Sequence, residues 1–169
     1  KKIIISPNLL SKSQHVYTKG RSTKTALHSL ISLIENSLQN KHYTQVAFLD
    51  IEGAFNNILP CVITDALTKL GVDDRTVGLI NQLLKCRIVE ATLGTSTVTK
   101  QVNRGTPQGG VLSPLLWNIA VNEMLQIIEG GGCTVFAYAD DVAIAFSGRF
   151  PQTLCDCMSL KLSKLSNWA

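Results

Sequence analysis

Residues 135–146 constrain this chain more than any other segment. They read Val-Phe-Ala-Tyr-Ala-Asp-Asp-Val-Ala-Ile-Ala-Phe, apolar except for two adjacent carboxylates at the centre, Asp140 and Asp141. Such a run fits two buried strands, and the acids fit a tight turn between them. Adjacent anions repel, and desolvating them is costly unless something positive compensates. No Lys or Arg stands close by in the sequence. A bound divalent cation resolves the conflict, because hard carboxylate oxygens at a rigid turn suit Mg²⁺. The plain alternative is a solvated hairpin tip in which Asp-Asp only makes the turn.

A third acid bears on that choice. Val46-Ala47-Phe48-Leu49 is a short apolar run that suits a strand buried on both faces, and it stops at Asp50. Two buried strands that each deliver an acid to the same end of a sheet could form one cation site. The chemistry served by such a site is phosphoryl transfer, with one metal activating a hydroxyl and a second steadying the leaving oxygen. That is a polymerase or nuclease constellation.

The rest of the chain supplies a scaffold of mixed elements. Leu27, Leu30, Ile31, Ile34 and Leu38 fall at helical spacing within residues 25–40 and predict one buried stripe. Val62, Ile63, Ala66, Leu67 and Leu70 repeat that spacing between Pro60 and Gly71, and Asp73 offers an N-cap for a helix reaching about Lys85. Residues 87–93 and 96–102 read as a hairpin joined at Gly94-Thr95. Ser113-Pro114 supplies an N-cap and first-turn proline for a long apolar helix through Met124, which the glycines at 130–132 end. Leu154, Met158, Leu162, Leu165 and Trp168 predict a last helix beginning at Pro151. Strands and helices mix without strict alternation, so the expected class is α+β, with helices on one face of a small antiparallel sheet.

Composition narrows the setting. The chain has 169 residues, enough for one sizeable core, and its net charge of +4 is compatible with a polyanionic partner without demanding one. Five irregularly spaced cysteines, with His15, His28 and His42 far up the chain, read as free thiols of an intracellular protein and not as a zinc site. No apolar run approaches a membrane span, and the start Lys-Lys-Ile-Ile-Ile-Ser-Pro lacks the apolar centre of a signal peptide. Both ends read as cuts in a longer polypeptide.

Between the hairpin and the long helix lies Arg104-Gly105-Thr106-Pro107-Gln108-Gly109-Gly110. It lacks the Gly-Lys-Ser/Thr ending of a P-loop, which disfavours a simple nucleotide hydrolase. Its glycines let a flat surface such as a base pair approach the backbone.

Three blocks then match one family in order. Phe48-Leu49-Asp50-Ile51-Glu52-Gly53-Ala54-Phe55 resembles the first catalytic motif of reverse transcriptases, Arg104 through Pro114 the second, and Ala137-Tyr138-Ala139-Asp140-Asp141 the third. Residues 14–23 resemble the fingers segment, and the wording of the motifs is most similar to the non-LTR retrotransposon branch. The resemblance implies a partial domain over residues 1–169. Residues 1–45 would be fingers-like and 46–169 mainly right-handed polymerase palm, with the thumb and flanking domains absent.

It further implies that Asp50, Asp140 and Asp141, with the carbonyl of Ile51, hold two Mg²⁺ ions, Mn²⁺ being able to substitute. Phe55 would lie beneath the incoming sugar and exclude a 2′-hydroxyl. Gln108, Gly109 and Arg104 would line the nucleotide, Lys19 and Arg21 would reach its triphosphate, and Tyr138 and Gly110 would meet template and primer. The implied reaction is RNA-directed DNA synthesis from deoxynucleoside triphosphates on an RNA template and a DNA primer, in the nucleus and without a membrane. Where the family usually reads Gly-Phe-Arg, this chain has Val16-Tyr17-Thr18. An inactive nucleic-acid-binding fragment of a decayed element, or an intron-encoded or bacterial reverse transcriptase, are the alternatives.

Overall fold

A computed structural model describes residues 10–166. In chain order its elements are α1 (Thr23–Gln39), β1 (Tyr43–Asp50), α2 (Ala54–Asn57), α3 (Pro60–Lys69), α4 (Asp74–Lys85), β2 (Arg87–Leu93), β3 (Ser96–Val102), α5 (Ser113–Ile128), β4 (Thr134–Tyr138), β5 (Asp141–Gly148) and α6 (Pro151–Ser166). They form two compact units. One comprises the described residues up to Ile51 together with those from Val121 onward, and the other is Glu52–Ala120. The predicted contribution of Trp168 to α6 lies outside the described residues, as does the start of the chain.

The first unit is built on an antiparallel sheet of order β1-β5-β4. Central β5 is buried from Val142 through Phe146, as its unbroken apolar sequence requires. On one face Ala143 and Ala145 pack with Leu30 of α1, joined by Leu33, Ile34, Val46 and Phe136. Val142, Ile144 and Phe146 on the opposite face are buried too, so cover is not confined to the single face expected from sequence.

Two other expectations change. Among the described residues β1 is an edge strand, not one buried on both faces, and Phe48 stands 72% exposed. On α1 the packed residues are Leu30, Leu33, Ile34 and Ser37, whereas Leu27, Ile31 and Leu38 of the predicted stripe face solvent. The helix starts two residues early because Ser22 and Thr25 cap each other reciprocally. Beside β4, Ser13 and His15 bond to both polar groups of the Ala137 backbone, at 2.9 and 2.8 Å, and so hold the segment before α1 against the sheet.

The second unit holds α2, α3, α4 and the β2–β3 hairpin. Asp73 caps α4 through Thr76 N–H, at 3.1 Å, and Ile63, Leu67, Ile80 and Leu84 are buried. The hairpin has its predicted bounds, with Leu93 opposite Ser96 across Gly94-Thr95. Gly94 takes φ +62°, which the short loop requires. Nearly all residues of both strands are exposed. Ser113 does not cap α5: its hydroxyl donates to the Pro107 carbonyl at 2.6 Å, and Leu112 accepts the first helical bond from Leu116. No described helix is long and apolar enough to cross a membrane.

Candidate active site

The acids gather at one end of the three-stranded sheet. In the β1–β5 register Asp50 is directly opposite Asp141, and in the β4–β5 register Tyr138 is opposite Asp141. Only Ala139 and Asp140 remain to make the β4–β5 turn, with Ala139 in the left-handed region at φ +58°. The N–H of Ile51 donates to the carbonyl of Asp140 at 3.1 Å, which ties the chain leaving β1 to that turn.

Because side chains alternate along a strand and directly paired residues share a face, Asp50 and Asp141 project from the same side of the sheet. All three carboxylates are exposed. Exposed carboxylates stay hydrated, so the burial cost expected from sequence is absent, but like charges directly opposite one another weaken a strand pair. A cation relieves that repulsion, and the donors are the hard oxygens that magnesium prefers. Among the described residues no group of three or more His, Cys, Asp or Glu side chains is placed to hold an ion. The acids share an edge without converging on one point.

The second unit positions the glycine-rich loop. Gly105 adopts φ +76°, and a Cβ there would meet the carbonyl oxygens of Phe55 and Asn56 at 2.5 and 2.6 Å. Its N–H donates to the Ile58 carbonyl and that of Thr106 to the Phe55 carbonyl, each at 2.7 Å. The missing side chain thus admits the protein's own backbone, not a base pair. Gly110 is similar, for a Cβ would come within 2.8 Å of Ser113 Oγ. Only Gly109 of the three, at φ +80°, faces open space.

Phe55 is half-buried, its ring tilted 35° against Trp117 with centroids 5.6 Å apart. Exposed Gln108 donates through Nε2 to Asn56 Oδ1 at 3.2 Å. Asn56, Arg104 and Gln108 are among the residues lining a cleft of about 640 Å³.

In the first unit Lys19 is exposed and Tyr138 half-buried. Arg21 is already engaged: its Nη1 donates to the carbonyls of Lys12 and Gln14, the latter at 2.7 Å. Beside it, buried His15 contacts Thr25 Oγ1 through Nδ1 at 3.1 Å, and burial followed by the Arg21 charge pushes its pKa below 6.5.

Comparison with known proteins decides the family. The model of "Reverse transcriptase (RNA-dependent DNA polymerase)" matches residues 1–169, the whole chain. The chain belongs to the reverse transcriptase family. It is 28% identical to the putative 115 kDa protein of the type-1 retrotransposable element R1DM of Drosophila melanogaster, over 92% of this chain and 15% of that protein. It is 30% identical to the Pol polyprotein of element R2 of Popillia japonica, over 77% of this chain and 20% of that protein. It is 26% identical to the RNA-directed DNA polymerase of mobile element jockey of Drosophila funebris, over 95% of this chain and 18% of that protein. These relatives place it in the non-LTR type, and it spans less than a quarter of their lengths.

A solved structure of apo telomerase from Candida tropicalis, truncated from the C-terminal domain, matches 89% of this chain and 32% of its own with a TM-score of 0.65 at 13% identity. That likeness shows the shared fold, a polymerase palm and fingers fragment. Reverse transcriptases are nucleotidyltransferases that act on nucleic acid and nucleotides and generally use divalent metals.

Three residues of this reverse transcriptase domain went unseen in the sequence. Asn56 holds Gln108, Trp117 backs Phe55, and Arg87 binds the glycine-rich loop through its carbonyls. Asn56 could have been found as the neighbour of Phe55 in the first motif. Nothing in the sequence marks Arg87 or Trp117, since the loop carbonyls that Arg87 binds lie 17 and 18 residues away and Phe55 is remote from Trp117 along the chain.

Proposed function

We propose that this domain performs RNA-directed DNA synthesis within a longer retrotransposon polypeptide, extending a DNA primer on an RNA template with deoxynucleoside triphosphates. The observation that carries the reading is the pairing of Asp50 with Asp141 at the sheet end where Asp140 makes the turn. Asp50, Asp140 and Asp141, with the carbonyl of Ile51, would hold two Mg²⁺ ions, or Mn²⁺ in their place. Bound there, the ions supply activation of the primer 3′-hydroxyl and charge neutralisation at the leaving oxygen.

The domain's own residues do the rest. The β4–β5 turn fixes Asp140 through its carbonyl bond to Ile51 N–H. Phe55, packed against Trp117, would lie beneath the incoming sugar and exclude a ribose 2′-hydroxyl, the group that separates RNA from DNA precursors. Gln108 and Gly109 meet the base and sugar, Arg104 and Lys19 supply positive charge to the triphosphate, and Gly110 and Tyr138 border the template and primer. Arg21 serves that charge through the loop it braces. The resemblance to non-LTR retrotransposon enzymes supports a nuclear setting for the full polypeptide.

The test is Asp140→Ala in the full-length polypeptide. Primer extension on an RNA template is expected to fall by at least about a thousandfold, the scale on which electrostatic stabilisation of phosphoryl transfer operates, while the unfolding midpoint stays unchanged. Retained extension would remove Asp140 from the chemistry.

A further inference from the structure

Arg87 opens the exposed β2–β3 hairpin, yet its guanidinium faces the protein. Nε donates to the Leu84 carbonyl at 3.0 Å, in the last turn of α4. Nη2 donates to the carbonyls of Arg104 and Gly105, at 2.6 and 2.7 Å. One planar cation therefore ties the end of α4 to two consecutive carbonyls at the start of the glycine-rich loop. The Gly105 residue is held from both sides, because its N–H is taken by the Ile58 carbonyl. Through Thr106 N–H the same stretch fixes the Phe55 carbonyl, and Gln108 follows two residues later. Arg87 also lines the cleft shared by Asn56, Arg104 and Gln108.

We infer that Arg87 is a positioning residue for nucleotide binding: it sets the backbone of residues 104–106 and, through it, the placement of Phe55 and Gln108. This inference rests on the polymerase reading and adds a residue to it. The chemistry favours arginine specifically. Three acceptors spread over two segments match the rigid fork of a guanidinium, whereas a lysine ammonium is a single point that cannot reach them in one geometry. Hydrogen bonds from a charged donor are also the stronger class, so two of them hold the start of the glycine-rich loop while the third anchors the same side chain to α4.

The experiment compares wild type, Arg87→Lys and Arg87→Ala in the full-length polypeptide, with two readouts. In single-nucleotide incorporation the KM for the deoxynucleoside triphosphate is expected to rise about tenfold in both variants, with kcat within about threefold of wild type. Added guanidinium at non-denaturing concentration is expected to restore KM in Arg87→Ala, and methylammonium to fail. In hydrogen exchange, amides of residues 104–106 are expected to exchange at least about tenfold faster, with β1 and β5 unchanged.

Unchanged KM with unchanged exchange in Arg87→Lys would overturn the inference while leaving the polymerase reading intact. So would equal loss of kcat and fold stability without guanidinium rescue, which marks a structural role alone. A wild-type polypeptide with no metal-dependent incorporation removes the polymerase reading, and this inference with it, whatever the exchange rates show.

Discussion

Replacing Gly105 with alanine separates two effects that glycine usually confounds. At φ +76° any L-residue takes the left-handed conformation, which costs about 1–2 kcal/mol. The added Cβ would also stand 2.5 and 2.6 Å from two backbone oxygens, so the loop must move away from Phe55 and Asn56. Moving it breaks the bonds from Gly105 N–H and Thr106 N–H, worth about 1 kcal/mol each. The total is about 3–4 kcal/mol, a large part of the roughly 5–15 kcal/mol that holds a typical domain together.

Gly71 is the control. It has nearly the same φ, +75°, with no atom within 4 Å of its Cβ position, so Gly71→Ala loses only the conformational term. Urea unfolding of the two variants should differ by about 2 kcal/mol, with Gly105→Ala the weaker. Equal midpoints would refute the claim that close backbone approach, and not backbone conformation alone, requires glycine at 105.

Two further outcomes follow from the first unit. Asp141→Asn removes a like-charge pair with Asp50, so without metal it should raise stability by about 0.5 kcal/mol while primer extension is lost; a destabilised metal-free variant would contradict the cross-strand repulsion. For His15, burial disfavours the charged ring, so its folded pKa lies below 6.5 and the unfolded chain takes up the proton first. Its effect on stability is therefore absent well above 6.5 and becomes a loss as pH falls through that value toward the folded pKa. His15→Asn should lessen the drop in urea midpoint between about pH 7.5 and about pH 5.5, and an unchanged drop would show that His15 is not its source.

Local signals were legible where a residue acts on its own backbone. Gly94-Thr95 set the hairpin to the residue, and Asp73 set the start of α4. The four-residue α2 is too short for periodicity to register. Tertiary choices were not legible. Val46-Ala47-Phe48-Leu49 has the composition of a central strand, but its place at the edge of the β1-β5-β4 order follows from which strand pairs on the other side. The Ser-Pro pair at 113 looks like a cap, and only the nearness of Pro107 diverts the hydroxyl. For the candidate site, the motifs singled out the acids and the loop as candidates, and the strand register sets Asp50 opposite Asp141. Their exposure was hidden, because a run of apolar neighbours says nothing about where a sheet ends.

The central claim is that acids from separate strands jointly hold divalent metal. Electron paramagnetic resonance of Mn²⁺ bound by the full-length polypeptide, with template, primer and a non-hydrolysable deoxynucleoside triphosphate, counts those ions directly. Wild type should hold two ions, and Asp50→Ala should lose at least one although Asp140 and Asp141 remain. Unchanged stoichiometry and affinity in Asp50→Ala would contradict the account.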